Sequence, residues 1–415
     1  MEVDSIPQQA QEKIEQMGSV DLVVGILADL DPQGVSAVCN DLQTLAGSPR
    51  LAVLQNDNGG SSTGTNSQTI EKSAFPFLVS WPLLQRDPAG ASILNMLAAY
   101  QAVYAASEKL GARACCVVAS KLEDTSPQWV CQLARPMLEG NIDLVLPRYA
   151  RHKFEGLMNR SIISPITRSL YGKRIHNPMG PDLGVSQRLF RKMLGAERNP
   201  RMNGIHPLVS LAPAALCDNL QICEVHLGAR IYPPTDWTNT SSLIARVLGP
   251  IFLDMERNAI FWQRMRGSVP VPAIGKPVFV SEDTGTIEIN RMIESFQLGN
   301  RDLQEIWSLV LPPGTLFELR KLSRLPVEQF HMPDELWARI VYDFALAHRL
   351  RTISRDHLLK SMTPLYLAWV ASYAQDMGNE GEAALEQRLE RLSVAYESCK
   401  SYLVSRWRWP DRFNP

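Results

Sequence analysis

The stretch Gly90–Val118, GASILNMLAAYQAVYAASEKLGARACCVV, decides the fold. The segment Gly90–Leu110 is rich in Ala and Leu, and Gly111 stands where a left-handed residue ends a helix. Just beyond it, Ala114–Val118 is a short unbroken apolar run, as in a strand buried on both faces. A crossover helix feeding such a strand makes a βαβ unit. The alternation recurs outward in both directions, with strands expected at Asp21–Leu27, Leu51–Gln55, Asp143–Pro147 and Ile222–Leu227. The expected fold class is therefore α/β, a mixed and mostly parallel sheet with helices on both faces.

The character changes near Gly267–Pro277, GSVPVPAIGKP, where Pro and Gly interrupt regular structure and suit an inter-domain connection. Beyond it Trp337, Ile340, Val341, Phe344 and Ala345 repeat at the spacing that makes one apolar helical stripe. Thr363 before Pro364 reads as an N-cap and helix start, and Glu380–Leu403 as a final helix carrying Leu385, Leu389, Leu392 and Tyr396. The expected division is an N-terminal extension over 1–20, an α/β domain over 21–266, a linker over 267–277 and a helical C-terminal domain over 278–415.

Charge excludes some functions. The 415 residues hold 42 Lys and Arg against 43 Asp and Glu, a net charge of -1, so neither a strongly basic nucleic-acid binder nor an acidic tail is indicated. Seven scattered cysteines without a C-x-x-C pair suit a reducing compartment rather than a disulfide framework or a structural zinc site. Met1–Ser19 is polar where a secretory segment is apolar, and no run of about 18 apolar residues occurs. A cytoplasmic protein with no membrane span is expected.

Two stretches are candidates for chemistry. Asn56–Thr65, NDNGGSSTGT, follows a parallel strand, where ligands bind in open α/β sheets and glycines let backbone donors approach a phosphate. An exposed polar turn has the same composition. The loop fits neither the P-loop nor the G-x-G-x-x-G pattern, which disfavours an ATPase or a nicotinamide enzyme. Within Asp143–Ser186, Arg148, Arg151, His152 and Lys153 follow a strand end and suit a carboxylate or phosphate, or equally a solvated surface. Asn159, Arg168, Tyr171, Asn177 and Asp182 add polar groups among helix and turn signals.

The NDNGGSS loop, the strand Asp143–Pro147 followed by Tyr149-Ala150-Arg151, and the later Asn177-Pro178-Met179-Gly180-Pro181-Asp182 together resemble the GT-A glycosyltransferases that include mannosylglycerate synthase and glucosylphosphoglycerate synthase. The resemblance spans Asp21 to about Trp262, with a helical extension including Thr363–Tyr373. It implies a GT-A fold, a nucleoside diphosphate sugar as donor, a small hydroxy acid or polyol as acceptor, and transfer with retention. By the same resemblance Asp182 is the catalytic acid position near the reacting sugar. Asp57, Asn58, Gly59 and Ser61 line the nucleotide, with Lys121 joining them where relatives carry a metal-binding acid, and Tyr149, Arg151, Lys153 and Asn159 contact the acceptor.

The sequence departs from the family pattern at the metal. Where relatives carry Asp-x-Asp after the strand, this chain reads Ala119-Ser120-Lys121, which offers a hard cation no anionic oxygen. The family's metal histidine aligns with Tyr232; His226 is nearby, although on a strand its side chain faces the opposite way from positions an odd number of residues along, and an acidic position aligns with His206. No metal or other cofactor is therefore expected, unless Glu123 or Asp124 substitutes and holds manganese or magnesium. Two classes follow: an active nucleotide-sugar transferase, in which Lys121 with Arg148 or Arg151 stabilises the leaving diphosphate, or a catalytically inactive pseudo-glycosyltransferase. The second would sense a ligand or pair with itself or another protein through its helical C-terminal domain. An unrelated α/β binding protein is a third reading.

Overall fold

The computed structural model describes residues 6, 8–27, 32–45, 49–56, 78–81, 93–119, 128–197, 207–229, 237–278, 287–378 and 380–410. It contains two compact units interleaved along the chain: Met1–Ala150, Met179–Arg230 and Val271–Val278 in one, and Arg151–Pro178, Ile231–Pro270 and Phe279–Pro415 in the other.

The first unit holds, in chain order, α1 (Gln8–Met17), β1 (Leu22–Ile26), α2 (Pro32–Gln43), β2 (Leu51–Asn56), β3 (Leu78–Trp81), α3 (Ile93–Lys109), β4 (Ala114–Val118), α4 (Gln128–Leu138) and β5 (Leu144–Ala150). The second unit begins there with α5 (Ser164–Tyr171) and β6 (Lys173–Arg174) before the chain returns to the first as β7 (Leu183–Ser186), α6 (Gln187–Glu197), α7 (Pro207–Cys217) and β8 (Ile222–Ala229). After α8 (Thr240–Arg257), α9 (Ala259–Trp262) and β9 (Val269–Pro270) in the second unit, β10 (Ala273–Ile274) closes the first.

One eight-stranded sheet runs β10-β8-β5-β7-β4-β1-β2-β3, parallel throughout except β7, which is antiparallel to both neighbours. The mixed, mostly parallel sheet expected from the apolar runs is thus present. Burial explains its legibility: Leu22, Val24 and Ile26 join the core that α2 and α4 cover. Val23 is equally buried on the opposite side, where Gly25 meets Val103 of α3. A strand covered twice needs no polar alternation. Gly111 adopts a φ of 60° at the end of α3, the left-handed conformation anticipated for it.

The second unit continues with α10 (Ile289–Asp302), α11 (Gln304–Ser308), α12 (Pro313–Leu322), α13 (Asp334–Leu350), α14 (Arg355–Ser361), α15 (Thr363–Met377), α16 (Glu382–Ser398) and α17 (Lys400–Arg408). The apolar stripe of α13 is wholly buried, and Trp337 stacks with Trp369 of α15 at 6.2 Å between centroids. A single π-helical turn, Asn159–Ile163, leads into α5, and the Ser161 carbonyl accepts hydrogen bonds from Trp337 Nε1 at 3.2 Å and Tyr396 Oη at 2.8 Å. Arg168 on α5 forks onto Glu390 at 2.6 and 2.8 Å and reaches Glu397 at 3.0 Å, joining α5 to α16.

Three expectations change. The stretch 267–277 is where the chain crosses between units, yet it is not a bare linker, because Val269–Pro270 pairs with Lys173–Arg174 and Ala273–Ile274 extends the sheet edge. Pro is tolerated in such short edge strands because it has no N–H to leave unpaired. The units are consequently interleaved instead of following one another as 21–266 and 278–415. Thr363 is the first helical residue and Met362, already in right-handed helical geometry, is the cap; the buried Thr363 hydroxyl has no hydrogen-bond partner among the described residues. The final helix breaks at Cys399, beyond which Lys400 Nζ turns to the carbonyls of Ser169 and Met265 at 2.6 and 3.0 Å.

Candidate functional site

The order of the sheet marks a place for ligands. From β1 the chain builds outward through β2 and β3, then returns over α3 to lay β4 on the other side of β1. Ligands of open α/β sheets occupy the crevice at the carboxyl ends of the two strands where the order reverses, here β1 and β4. The Leu27 N–H donates to the Val118 carbonyl at 2.8 Å across that point. The next residue, Ala119, gives its N–H to Asp182 Oδ1 at 2.8 Å.

Asp182 arrives there because β7, short and antiparallel, is inserted between β4 and β5, and the residue before it faces the ends of both. Its other oxygen accepts the phenol of Tyr149, near the end of β5. Tyr149 in turn packs on Trp129 of α4, with ring centroids 5.7 Å apart. The Tyr100 hydroxyl of α3 donates to the Pro181 carbonyl, so α3, β4, β5 and the entry to β7 converge on residues 181 and 182. Asp182 is 1% exposed. A carboxylate so placed fixes the crevice wall, and neither oxygen lacks a donor.

Among the described residues at the end of β4, no side chain offers a divalent cation an anionic oxygen. Ala119 carries only a methyl group, its N–H is committed to Asp182, and both oxygens of Asp182 already accept hydrogen bonds. Among the described residues no group of three His, Cys, Asp or Glu side chains is arranged to hold a metal. Glu123, Asp124, His206 and Tyr232 lie outside the described residues, as do the nucleotide candidates Asp57, Asn58, Gly59, Ser61 and Lys121.

The four acceptor candidates divide between the units. Tyr149 belongs with Asp182 in the sheet unit, and Arg151, Lys153 and Asn159 belong to the helical unit. Lys153 Nζ donates to the carbonyls of Gly378 and Glu380 at 2.7 and 3.3 Å, closing the end of α15. Its own carbonyl accepts the Tyr373 hydroxyl at 2.8 Å. Asn159 Nδ2 donates to the His176 carbonyl at 2.6 Å, leaving a buried Oδ1 without a donor among the described residues. Arg151 lies over Gly156, where a Cβ would stand 2.7 Å from Nη1; the φ of 62° there also suits glycine.

Arg160 is the residue the sequence did not point to. Its guanidinium donates to the carbonyls of His152 at 3.2 Å and Lys153 at 2.9 Å, and reaches that of Arg151 at 3.5 Å. It thereby holds the basic segment in one conformation. The usable signal was the segment itself, since a turn carrying several carbonyls needs donors from nearby.

Beyond His226 the strand β8 is irregular. Arg148 pairs with His226 but Tyr149 pairs with Gly228, so Leu227 is an extra residue in β8. Gly228 has a φ of 88°. Such a bulge resets which face the following residues take.

No protein-family model matches the chain, and no curated protein matches it. Among solved structures it is similar to glucosyl-3-phosphoglycerate synthase from Mycobacterium tuberculosis in complex with manganese, uridine diphosphate and glucosyl-3-phosphoglycerate, at 18% identity over 61% of this chain and 85% of that one, with a TM-score of 0.35. The same synthase with magnesium and uridine diphosphate gives 17% identity over 61% and 84%, with a TM-score of 0.35. A further mycobacterial protein gives 19% over 60% and 80%, with a TM-score of 0.36.

Proposed function

We propose that the sheet unit binds a nucleoside diphosphate sugar at the carboxyl edge of β1 and β4, and that the protein transfers the hexose to a small hydroxy acid or polyol. The observation that carries this reading is the buried junction of Asp182, Tyr149 and Ala119 at the point where the strand order reverses. The GT-A resemblance of the sequence supports it. In this reading Asp182 and Tyr149 shape the wall against which the sugar lies. Lys121, two residues beyond Ala119, pairs with the leaving diphosphate as a point charge where relatives use a metal. Arg151, Lys153 and Asn159 belong to a segment proposed to meet the acceptor.

One observation favours an inactive, ligand-sensing protein: the position of the first metal acid is an alanine whose N–H is bound to Asp182. Calorimetric titration with uridine and guanosine diphosphates, with and without manganese, tests binding. Release of nucleoside diphosphate from a sugar donor in the presence of glycerate or phosphoglycerate tests transfer. The expected result is metal-independent binding that Lys121→Ala weakens about tenfold. Binding without turnover selects the sensing protein. No binding at millimolar nucleotide ends both readings.

A further inference from the structure

Three helices of the helical unit, α8, α13 and α17, end side by side. Phe252 of α8 packs on His348 of α13, and Arg355, the first residue of α14, pairs with Glu256 at 3.5 Å. Arg349 Nη1 donates to the Trp407 carbonyl at 2.6 Å, Trp407 packs on Trp262 at 5.2 Å between centroids, and Arg408 Nε donates to Gln263 at 2.7 Å. From this junction three large apolar side chains project: Ile260 is 74% exposed, Trp409 59% and Leu350 42%. Arg264, Arg351 and Arg408 are exposed among them and Arg349 half-buried, and none of these four forms an ion pair among the described residues. Of the acids nearby, Glu256 is answered by Arg355 and Asp356 by Lys360 at 2.8 Å, while Asp254 and Asp343 are buried. Residues 411–415, outside the described residues, add one Asp and one Arg. In a chain of net charge -1, this end carries a local excess of cations beside exposed apolar surface.

These two features together constrain what meets the face. A free phosphate would answer the arginines and leave Ile260, Leu350 and Trp409 in water. A wholly apolar partner surface would bury guanidinium charges without anions. An anionic bilayer supplies both in order of depth, phosphates at the headgroup level for the arginines and hydrocarbon just beneath for the apolar tips. Tryptophan suits that boundary, with an apolar ring and one polar N–H. An arginine at a helix C-terminus also complements the helix dipole, as Arg349 does for α17, but that duty calls for no exposed isoleucine or tryptophan. The geometry points to this face as a peripheral docking surface for a membrane rich in anionic phospholipid. The inference rests on no part of the function proposed for the sheet unit.

The test is sedimentation of the full-length protein with vesicles of phosphatidylcholine and phosphatidylglycerol in equal parts, against phosphatidylcholine alone. Binding is expected to the first only and to fall as salt rises. Arg264→Glu/Arg351→Glu, at exposed positions, should weaken it at least about tenfold, whereas Arg320→Glu/Arg324→Glu, the same charge change at the exposed end of α12, should leave most of it. Ile260→Gln/Leu350→Gln, which alters no charge, should also weaken it. Vesicles with brominated acyl chains should quench part of the tryptophan fluorescence, and Trp409→Phe should bind normally but lose that quenching. Equal loss in the two arginine pairs would reduce the attraction to net charge and overturn the face. Full retention in Ile260→Gln/Leu350→Gln with no quenching would overturn the membrane docking, as would full competition by glycerol phosphate, which would assign the arginines to a free phosphate. No binding to the anionic vesicles at low salt would end the inference.

Discussion

Tyr149 on β5 and Asp182, the residue before the neighbouring strand β7, are 33 residues apart in sequence, and their hydrogen bond is buried. Tyr149→Phe removes one donor from a desolvated carboxylate and is expected to lower stability by about 1–3 kcal/mol. Asp182→Asn should be the more damaging change, because an amide presents one acceptor oxygen and one donor nitrogen where two acceptors are used. Urea midpoints of the two variants check this order. If both match wild type, the junction does not hold the crevice, and the site reading loses its support. Lys153→Ala belongs to the same scale: it removes donors from the Gly378 and Glu380 carbonyls, and is expected to affect stability before any acceptor affinity.

The central strand β1 carries Gly25, and a Cβ there would stand 2.4 Å from Val103 Cγ2 of α3. Gly25→Ala should therefore cost about 1–3 kcal/mol through overpacking, with partial recovery when Val103→Ala makes room. A stable single variant with unchanged urea midpoint would mean that α3 shifts freely on the sheet. The same close packing explains what the sequence disclosed. β1, β2, β4, β5 and β8 read as continuous apolar runs because helices cover both faces. β7, with only Leu183–Ser186, and the two-residue strands β6, β9 and β10 are too short to carry a period. The bulge at Leu227 and the π turn at Asn159–Ile163 each shift a pattern by one residue, which no periodicity argument anticipates. At the candidate site the turn before β7 drew notice to Asp182, and the structure buries it there, whereas the structural duty of Lys153 arises from partners distant in sequence.

At the scale of the whole molecule, pH should act on unfolding through two buried groups on α13 with opposite signs. His348 is 1% exposed, packs on Phe252 at 5.7 Å, and has no partner for Nδ1 among the described residues. Burial, with Arg355 and Arg351 nearby, holds its imidazolium down, to a pKa of about 4. The unfolded chain takes up that proton near the ordinary value while the folded protein does not, so the stability from His348 is complete above about pH 6.5 and lost as pH falls toward 4. Asp343 behaves in reverse. Burial pushes its carboxyl up to about 7, although Arg406 Nε lies 3.1 Å away and the Tyr402 hydroxyl is 2.8 Å from each of its oxygens. The unfolded chain loses that proton first, and the contribution from Asp343 declines as pH rises through 7. Each group alone gives a slope of at most about 1.4 kcal/mol per pH unit, and between roughly pH 4 and 7 the two slopes offset each other. Removing one should expose the other: in His348→Phe, stability should fall as pH rises across this range, and in Asp343→Asn it should climb. The level will drop in Asp343→Asn because an amide presents one acceptor oxygen where Arg406 and Tyr402 face two, so the slope is the quantity to read from urea midpoints at several pH values. Variants whose slopes match wild type would show that these two groups do not set the pH response of the helical unit.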